Sequence, residues 1–195
     1  VISPAHATSS NGLPTPEDKI SALNRYSSGC KQHLNMRSIN NPRRIAGMLL
    51  DEDHRVRMRA AEVLRETQNP HAAAEIVAGR IRVLRINLEK RPDKKSDWPA
   101  WDRDLEFYKA LALVLGESGI LEASPPVVYM LKATSMELLA IAANICSRVR
   151  THGVATAVLD AYARTRSSDP KAGPVGVVLL QAWRAITKTE IRAPK

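Results

Sequence analysis

The sequence predicts an all-α chain: a stack of about four helical hairpins preceded by one extra helix. Three observations carry that expectation. Ala74, Val77, Ile81, Leu84 and Leu88 recur at the spacing of a buried helical stripe. Breaks that open helix pairs fall near Pro42, Pro70, Pro125 and Gly153, at intervals of 28, 55 and 28 residues. A repeated interval of this size is the mark of stacked helical pairs, because one hairpin cannot bury its own apolar face. The chain is 44% hydrophobic and 25% charged with a single Phe, so a core of Ala, Leu, Val and Ile is expected.

The elements follow in order. Residues 1–16 are rich in Ser, Thr, Pro, Asn and Gly without periodicity and read as a flexible lead-in. Thr15, Pro16, Glu17 and Asp18 form a helix start, with a capping hydroxyl, Pro in the first turn and acids at the positive helix end. Gly29 is expected to end or weaken that helix. Asn40-Asn41-Pro42 opens the next, with Ile45, Met48 and Leu49 on one side, and the acidic turn 51–53 leads into a helix over 56–66. Asn69-Pro70 opens a long helix over 71–90. Ile76, Val83 and Ile86 give it a second stripe, which predicts burial on both sides. Residues 91–99 read as a loop, 100–115 as a helix closed by Gly116 and Gly119. Short helices follow Ser124-Pro125-Pro126 and Thr134-Ser135, His152-Gly153 precedes a helix over 154–164, and 175–186 is the last. The helical domain spans 17–190.

Residues 51–64, DEDHRVRMRAAEVL, combine a short acidic turn with a helix bearing Val56, Arg57, the Ala60-Ala61 pair and Leu64. This resembles the second helix of a HEAT repeat. Residues 102–116 repeat part of the pattern: Asp102, Phe107, Leu111, Ala112 and Leu115 fall where Asp51, Val56, Ala60, Ala61 and Leu64 stand. A third copy keeps Leu138, Ala142 and Ala143, with Cys146 in place of Leu64. Small Ala pairs let adjacent helices approach while Val and Leu fill the grooves between them. The resemblance implies a right-handed α-solenoid of HEAT-like hairpins over roughly residues 40–165. It also implies an Asp/Arg link between neighbouring turns, matched by Asp51 and Arg57. Tyr108 and Leu139 occupy the Arg57 position later on, so such a ladder cannot run through the whole array.

A formal charge of +9, biased toward the first hundred residues, admits nucleic acid, an anionic surface or an acidic protein as partner. No apolar run approaches the roughly 18 residues of a membrane span. Residues 1–7 end in Ala5-His6-Ala7, a small-residue pattern like a signal-peptide remnant, from which a periplasmic or secreted location is expected, with a cytoplasmic one as the alternative. Cys30 and Cys146 have no metal-ligand spacing. Two readings stand: one disulfide in an oxidising compartment, or buried thiols.

No reaction chemistry is legible. His6, His33, His54, His71 and His152 are scattered, and no phosphate-cradling glycine loop or nucleophile elbow is present. The absence of a His-Glu pair argues against the metal-binding HEAT-repeat hydroxylases. No catalytic residue, metal ligand or cofactor is expected. His54, beside Asp53, reads as a carboxylate-paired histidine. Trp98 and Trp101, flanking Pro99, either anchor a partner or cover the core at a helix start. Arg55, Arg59, Arg80, Arg82 and Arg85 either form surface ion pairs or an anion-binding strip. The expected function is a non-catalytic protein-protein interaction scaffold using the groove of successive second helices and the Trp98/Trp101 loop. The alternative is nucleic-acid or polyanion binding through a basic concave face, as in HEAT-like DNA glycosylases.

Overall fold

The computed structural model describes residues 14–32, 42–66, 74–118, 123–168 and 173–190. Among them all regular structure is helical. Nine α-helices run in order: α1 (Pro16–Gln32), α2 (Pro42–Met48), α3 (His54–Glu66), α4 (Ala74–Leu88), α5 (Trp98–Ser118), α6 (Ser124–Met130), α7 (Met136–Cys146), α8 (His152–Ser168) and α9 (Gly173–Glu190), with a 3-10 turn at Lys95–Asp97. Residues 5–7, His6, His33 and His71 lie outside the described residues, as does the side chain of Cys30.

Local chemistry starts these helices where the sequence says it should. At α1 the Thr15 hydroxyl accepts the Asp18 N–H (3.2 Å) while the Asp18 carboxylate accepts the Thr15 N–H (3.1 Å), a reciprocal capping box. At α3 Asp51 Oδ1 accepts the Asp53 N–H (3.0 Å), and Asp53 Oδ1 accepts the Arg55 N–H (2.7 Å). At α8 the Thr151 hydroxyl takes the Val154 N–H (3.3 Å). The cap of α7 comes from elsewhere in the chain: Glu89, just past α4, accepts the N–H groups of Thr134 (2.9 Å) and Ser135 (3.1 Å).

The helices pack in two layers. Each of α2, α4, α6 and α8 pairs with the helix that follows it. Within the odd layer α1 packs on α3, α3 on α5, α5 on α7 and α7 on α9; within the even layer α2 meets α4, α4 meets α6 and α6 meets α8. The core lies between the layers. Val56, Ala60, Ala61 and Leu64 of α3 are all buried, and so are Phe107, Leu111, Ala112 and Leu115 at the matching positions of α5. Each position contributes the burial of apolar surface at about 25 cal/mol per Å².

Four expectations need correction. Gly29 does not end α1, which continues to Gln32. Gly116 is not a cap: α5 runs on to Ser118, and Gly116 is buried, with a Cβ there lying 3.0 Å from Cβ and Cγ2 of Ile145 in α7. It is Gly because two helices touch at that point. The second stripe of α4 is not buried: Ile76 is half-buried, but Val83 is 50% and Ile86 68% exposed. The loop before α5 is also shorter than expected, because Trp98 and Pro99 are the first residues of that helix.

Candidate functional site

The two regions singled out by the sequence occupy different parts of the molecule. The tryptophans open α5, where Arg91 comes between them. Its guanidinium lies 4.1 Å from the Trp98 ring centre and 5.2 Å from that of Trp101, and it donates to Asp102 (3.3 Å). Trp98 Nε1 donates to the Pro92 carbonyl (2.9 Å), which ties back the loop. Trp101 is 8% exposed and belongs to the core, whereas Trp98 is half-buried and Lys95 approaches its ring at 5.9 Å. Of the pair, Trp98 alone presents a substantial surface.

The arginines do not make one open strip. Arg55 is held by Asp53 (2.8 Å) and by Glu17 of α1 (3.0 Å). The hydrogen bond from Arg55 keeps the Asp53 carboxyl at about 2, well below the usual carboxylate range. Arg59 donates to Asn24 (2.7 Å) and Glu62 (2.8 Å) and reaches Glu66 at 3.4 Å. Arg85 sits over the Tyr129 ring at 4.4 Å, pairs with Glu89 (2.9 Å), and donates to the carbonyls of Tyr129 and Lys132, both at 3.2 Å. Arg80 is half-buried, 6.0 Å from the Phe107 ring centre. Arg82 is exposed on α4. Four of the five therefore have engagements within the fold, which directs them to positioning helices.

Arg57 serves its own turn instead of the expected link between neighbouring turns. It donates to the carbonyls of Asp51 (2.9 Å) and Glu52 (2.8 Å), closing the turn behind its own helix, and lies 5.3 Å from the Phe107 ring centre. The Asp51 carboxylate instead takes Lys19 of α1 (2.6 Å). At the corresponding place in α5, the Tyr108 hydroxyl is buried without a hydrogen-bond partner among the described residues, and burial raises its pKa. The inter-hairpin link reappears on α4, where Arg85 and Glu89 grip the α6–α7 turn from opposite ends of its dipoles. The sequence shows these two residues four apart on a helix, but their distant partners only emerge on folding.

His54 is half-buried at the start of α3, 4.0 Å from Glu106. Burial and the nearby Arg57 lower its pKa, against a smaller opposing pull from Glu106. Cys146 is a free, buried thiol donating to the Ala142 carbonyl (3.0 Å), and burial pushes its pKa up to about 12. Such a thiol is a small core hydrophobe, not a nucleophile. Among the described residues no group of His, Cys, Asp and Glu side chains is arranged to hold a metal ion, and no helix is long and apolar enough to cross a membrane.

The exposed faces of the layers differ in kind. Across the odd layer, Arg65 meets Glu117 (3.1 Å), Glu117 meets Arg148 (3.3 Å) and Lys109 meets Glu137 (3.8 Å). Across the even layer, Val83, Ile86 and Leu159 are exposed, as is Leu50 in the turn after α2; in the odd layer Val177 on the terminal α9 is exposed too. No protein-family model matches the chain, and no curated protein is significantly similar to it.

Proposed function

We propose that this chain is a HEAT-like α-solenoid, right-handed in its stacking, that works as a non-catalytic protein-binding scaffold. The observation that carries the reading is the pair of ladders: every hairpin touches its neighbour through both layers, and helices two apart in sequence are neighbours in space. A stack of this kind offers long surfaces whose shape is set by repeat packing, and that suits it to recognising another protein. Arg55, Arg59 and Arg85 are already balanced by carboxylates, which supports a protein partner over a polyanion, since phosphate binding draws on cations whose charge is not yet neutralised.

The test is selection from a random peptide display library on the intact chain, alongside a single-stranded oligonucleotide titrated over a salt series. The expected result is a set of enriched peptides that still bind at physiological salt. An oligonucleotide complex that weakens steeply with salt, with no peptide enriched, would replace the protein-binding reading with polyanion binding.

A further inference from the structure

The outer seam between α6 and α8 holds an open cavity. The two helices start level, with Ser124 Oγ and Thr151 Oγ1 2.7 Å apart. α6 ends after 7 residues and α8 continues for 17. At 1.5 Å per residue, these are lengths of roughly 10 and 25 Å. The side chains between them do not make up the difference. Gly153, Ala157 and Ala163 line the α8 side of a cavity of about 910 Å³, and Val128 and Leu131 line the α6 side. Gly153 has nothing within 4 Å of where its Cβ would stand.

The trough has the dimensions of a helix. From Gly153 to Arg164 its α8 wall runs three turns, roughly 16 Å. It is open to solvent as far as Arg164, which reaches across to the end of α6, and its small residues permit close approach of another backbone. Leu159, 41% exposed, shares the α8 face of Thr156 and Ala163 and extends the apolar surface at the rim. A small-molecule site would instead enclose its ligand and aim a few polar groups inward. Here the charged groups Lys132, Asp160 and Arg164 are exposed.

Two of those three charges are cationic, on a chain of net charge +9. Arg164 is fixed over the end of α6 by donating to the Leu131 and Lys132 carbonyls (2.5 and 3.5 Å), which keeps its charge at the rim. A second copy of this chain would bring the same +9 against that rim. The geometry points to an acidic amphipathic helix of a partner protein as the occupant, its apolar face in the α6–α8 trough and carboxylates beside Lys132 and Arg164. This rests on the protein-binding reading above and names the surface and partner chemistry that serve it.

The experiment titrates a fluorescein-labelled Leu/Ala peptide with Glu flanks, about four helical turns long, against the intact chain by anisotropy. A Lys-flanked counterpart and a single-stranded oligonucleotide run in parallel. Variants Ala163→Trp and Lys132→Glu change exposed positions, and thermal melts check their folding; Lys109→Gln in the odd layer is the control. The acidic peptide is expected to bind best. Ala163→Trp should weaken it at least about tenfold, Lys132→Glu should weaken it severalfold and favour the Lys-flanked peptide, and Lys109→Gln should leave it unchanged. Acidic-peptide binding unaffected by both trough variants overturns the site and leaves the protein-binding reading standing. Equal binding of both peptides overturns the charge assignment. Self-association of the wild type that Ala163→Trp abolishes, seen by sedimentation, makes a second copy the occupant instead. If neither peptide binds, the docking proposal falls by itself, because library selection decides the broader reading independently.

Discussion

The odd and even layers are built from the same chain but finished differently. In the odd layer, neighbouring helices are tied by side-chain pairs: Glu17 to Arg55, Asn24 to Arg59, the buried Ser27 to Glu66, Arg65 to Glu117, Lys109 to Glu137. In the even layer the exposed positions include Val83, Ile86 and Leu159, and the glycines Gly47, Gly79 and Gly153 face open space; in the odd layer the terminal α9 does the same at Val177 and Gly173. Its ties are of another type, arginines reaching the carbonyls at the end of α6. A surface of mutually satisfied charges gains little from a partner, because each pair would have to be desolvated. Exposed apolar surface gains by being covered. If the chain binds a protein as proposed, the difference makes the less charged even layer the side for docking.

The sharpest way to break the comparison is to remove what joins the layers. Phe107 of α5 is fully buried and lies beneath Arg57 of the odd layer and Arg80 of the even one. Phe107→Ala should cost about 3–5 kcal/mol, from lost apolar burial and the cavity left behind. Urea unfolding followed by circular dichroism measures it. A loss below about 1 kcal/mol would mean that the layers hold together without this joint.

Next comes the contact within the odd layer. Gly116→Val places side-chain atoms against Ile145, which is buried and branched at Cβ and has little room to yield. The expected cost is about 1–3 kcal/mol, after allowing for the helix propensity that Gly forgoes. Gly153→Ala in the even layer meets open space and should be neutral or slightly stabilising. If the two substitutions cost the same, the closeness of α5 and α7 is not what fixes Gly116.

Much of this architecture is legible in the sequence. The breaks at Pro42 and Pro125, the Thr15 capping box and the buried register shared by Val56 and Phe107 all stem from neighbours within a few residues, so local patterns reveal them. Gly116 is different: a glycine near the end of an apolar run looks like a cap, and only Ile145, on another helix, shows it to be a contact. Periodicity found the Val83 and Ile86 stripe but could not tell whether anything covers it. The partners of the arginines are hidden from the sequence for a related reason. Arg59 finds Asn24 and Arg85 finds the Lys132 carbonyl, partners that folding supplies from far along the chain. Arg91 reaches both tryptophans from the non-helical stretch before α5, a contact that no helical spacing announces. The α6–α8 trough comes from unequal helix lengths and small side chains, and no single motif announces it.

The Glu89 cap tests how firmly the even layer is latched to the next hairpin. Burial raises the pKa of this carboxyl, but hydrogen bonds from the Thr134 hydroxyl, the Ser135 and Thr134 N–H groups and Arg85 together outweigh it, so the net shift is downward. A carboxyl whose folded pKa is depressed contributes stability above its unfolded value, 4.5 here, and loses it as pH falls through the folded value. Glu89→Gln should therefore cost about 1–2 kcal/mol at neutral pH, with the gap from wild type closing in acid. Melting temperatures of both proteins across pH 3–7 check this. A gap that stays constant would assign the loss to packing, not to charge.

The smallest effect belongs to the charged odd face. Glu117 of α5 lies between Arg65 of α3 and Arg148 in the turn just past α7, so one carboxylate joins three successive units of the odd layer. All three side chains are more than a third exposed, at 38%, 42% and 51% for Glu117, Arg65 and Arg148. Solvent screening limits each such pair to about 0.2–1 kcal/mol. Glu117→Gln should cost about 0.5 kcal/mol at low salt and nearly nothing at 1 M, where the screening length falls to about 3 Å. A double-mutant cycle with Arg65→Gln and Arg148→Gln separates the two links. Coupling well above 1 kcal/mol that persists in salt would show the odd face to be a rigid clamp, and the contrast between the layers would then be one of stiffness as well as charge.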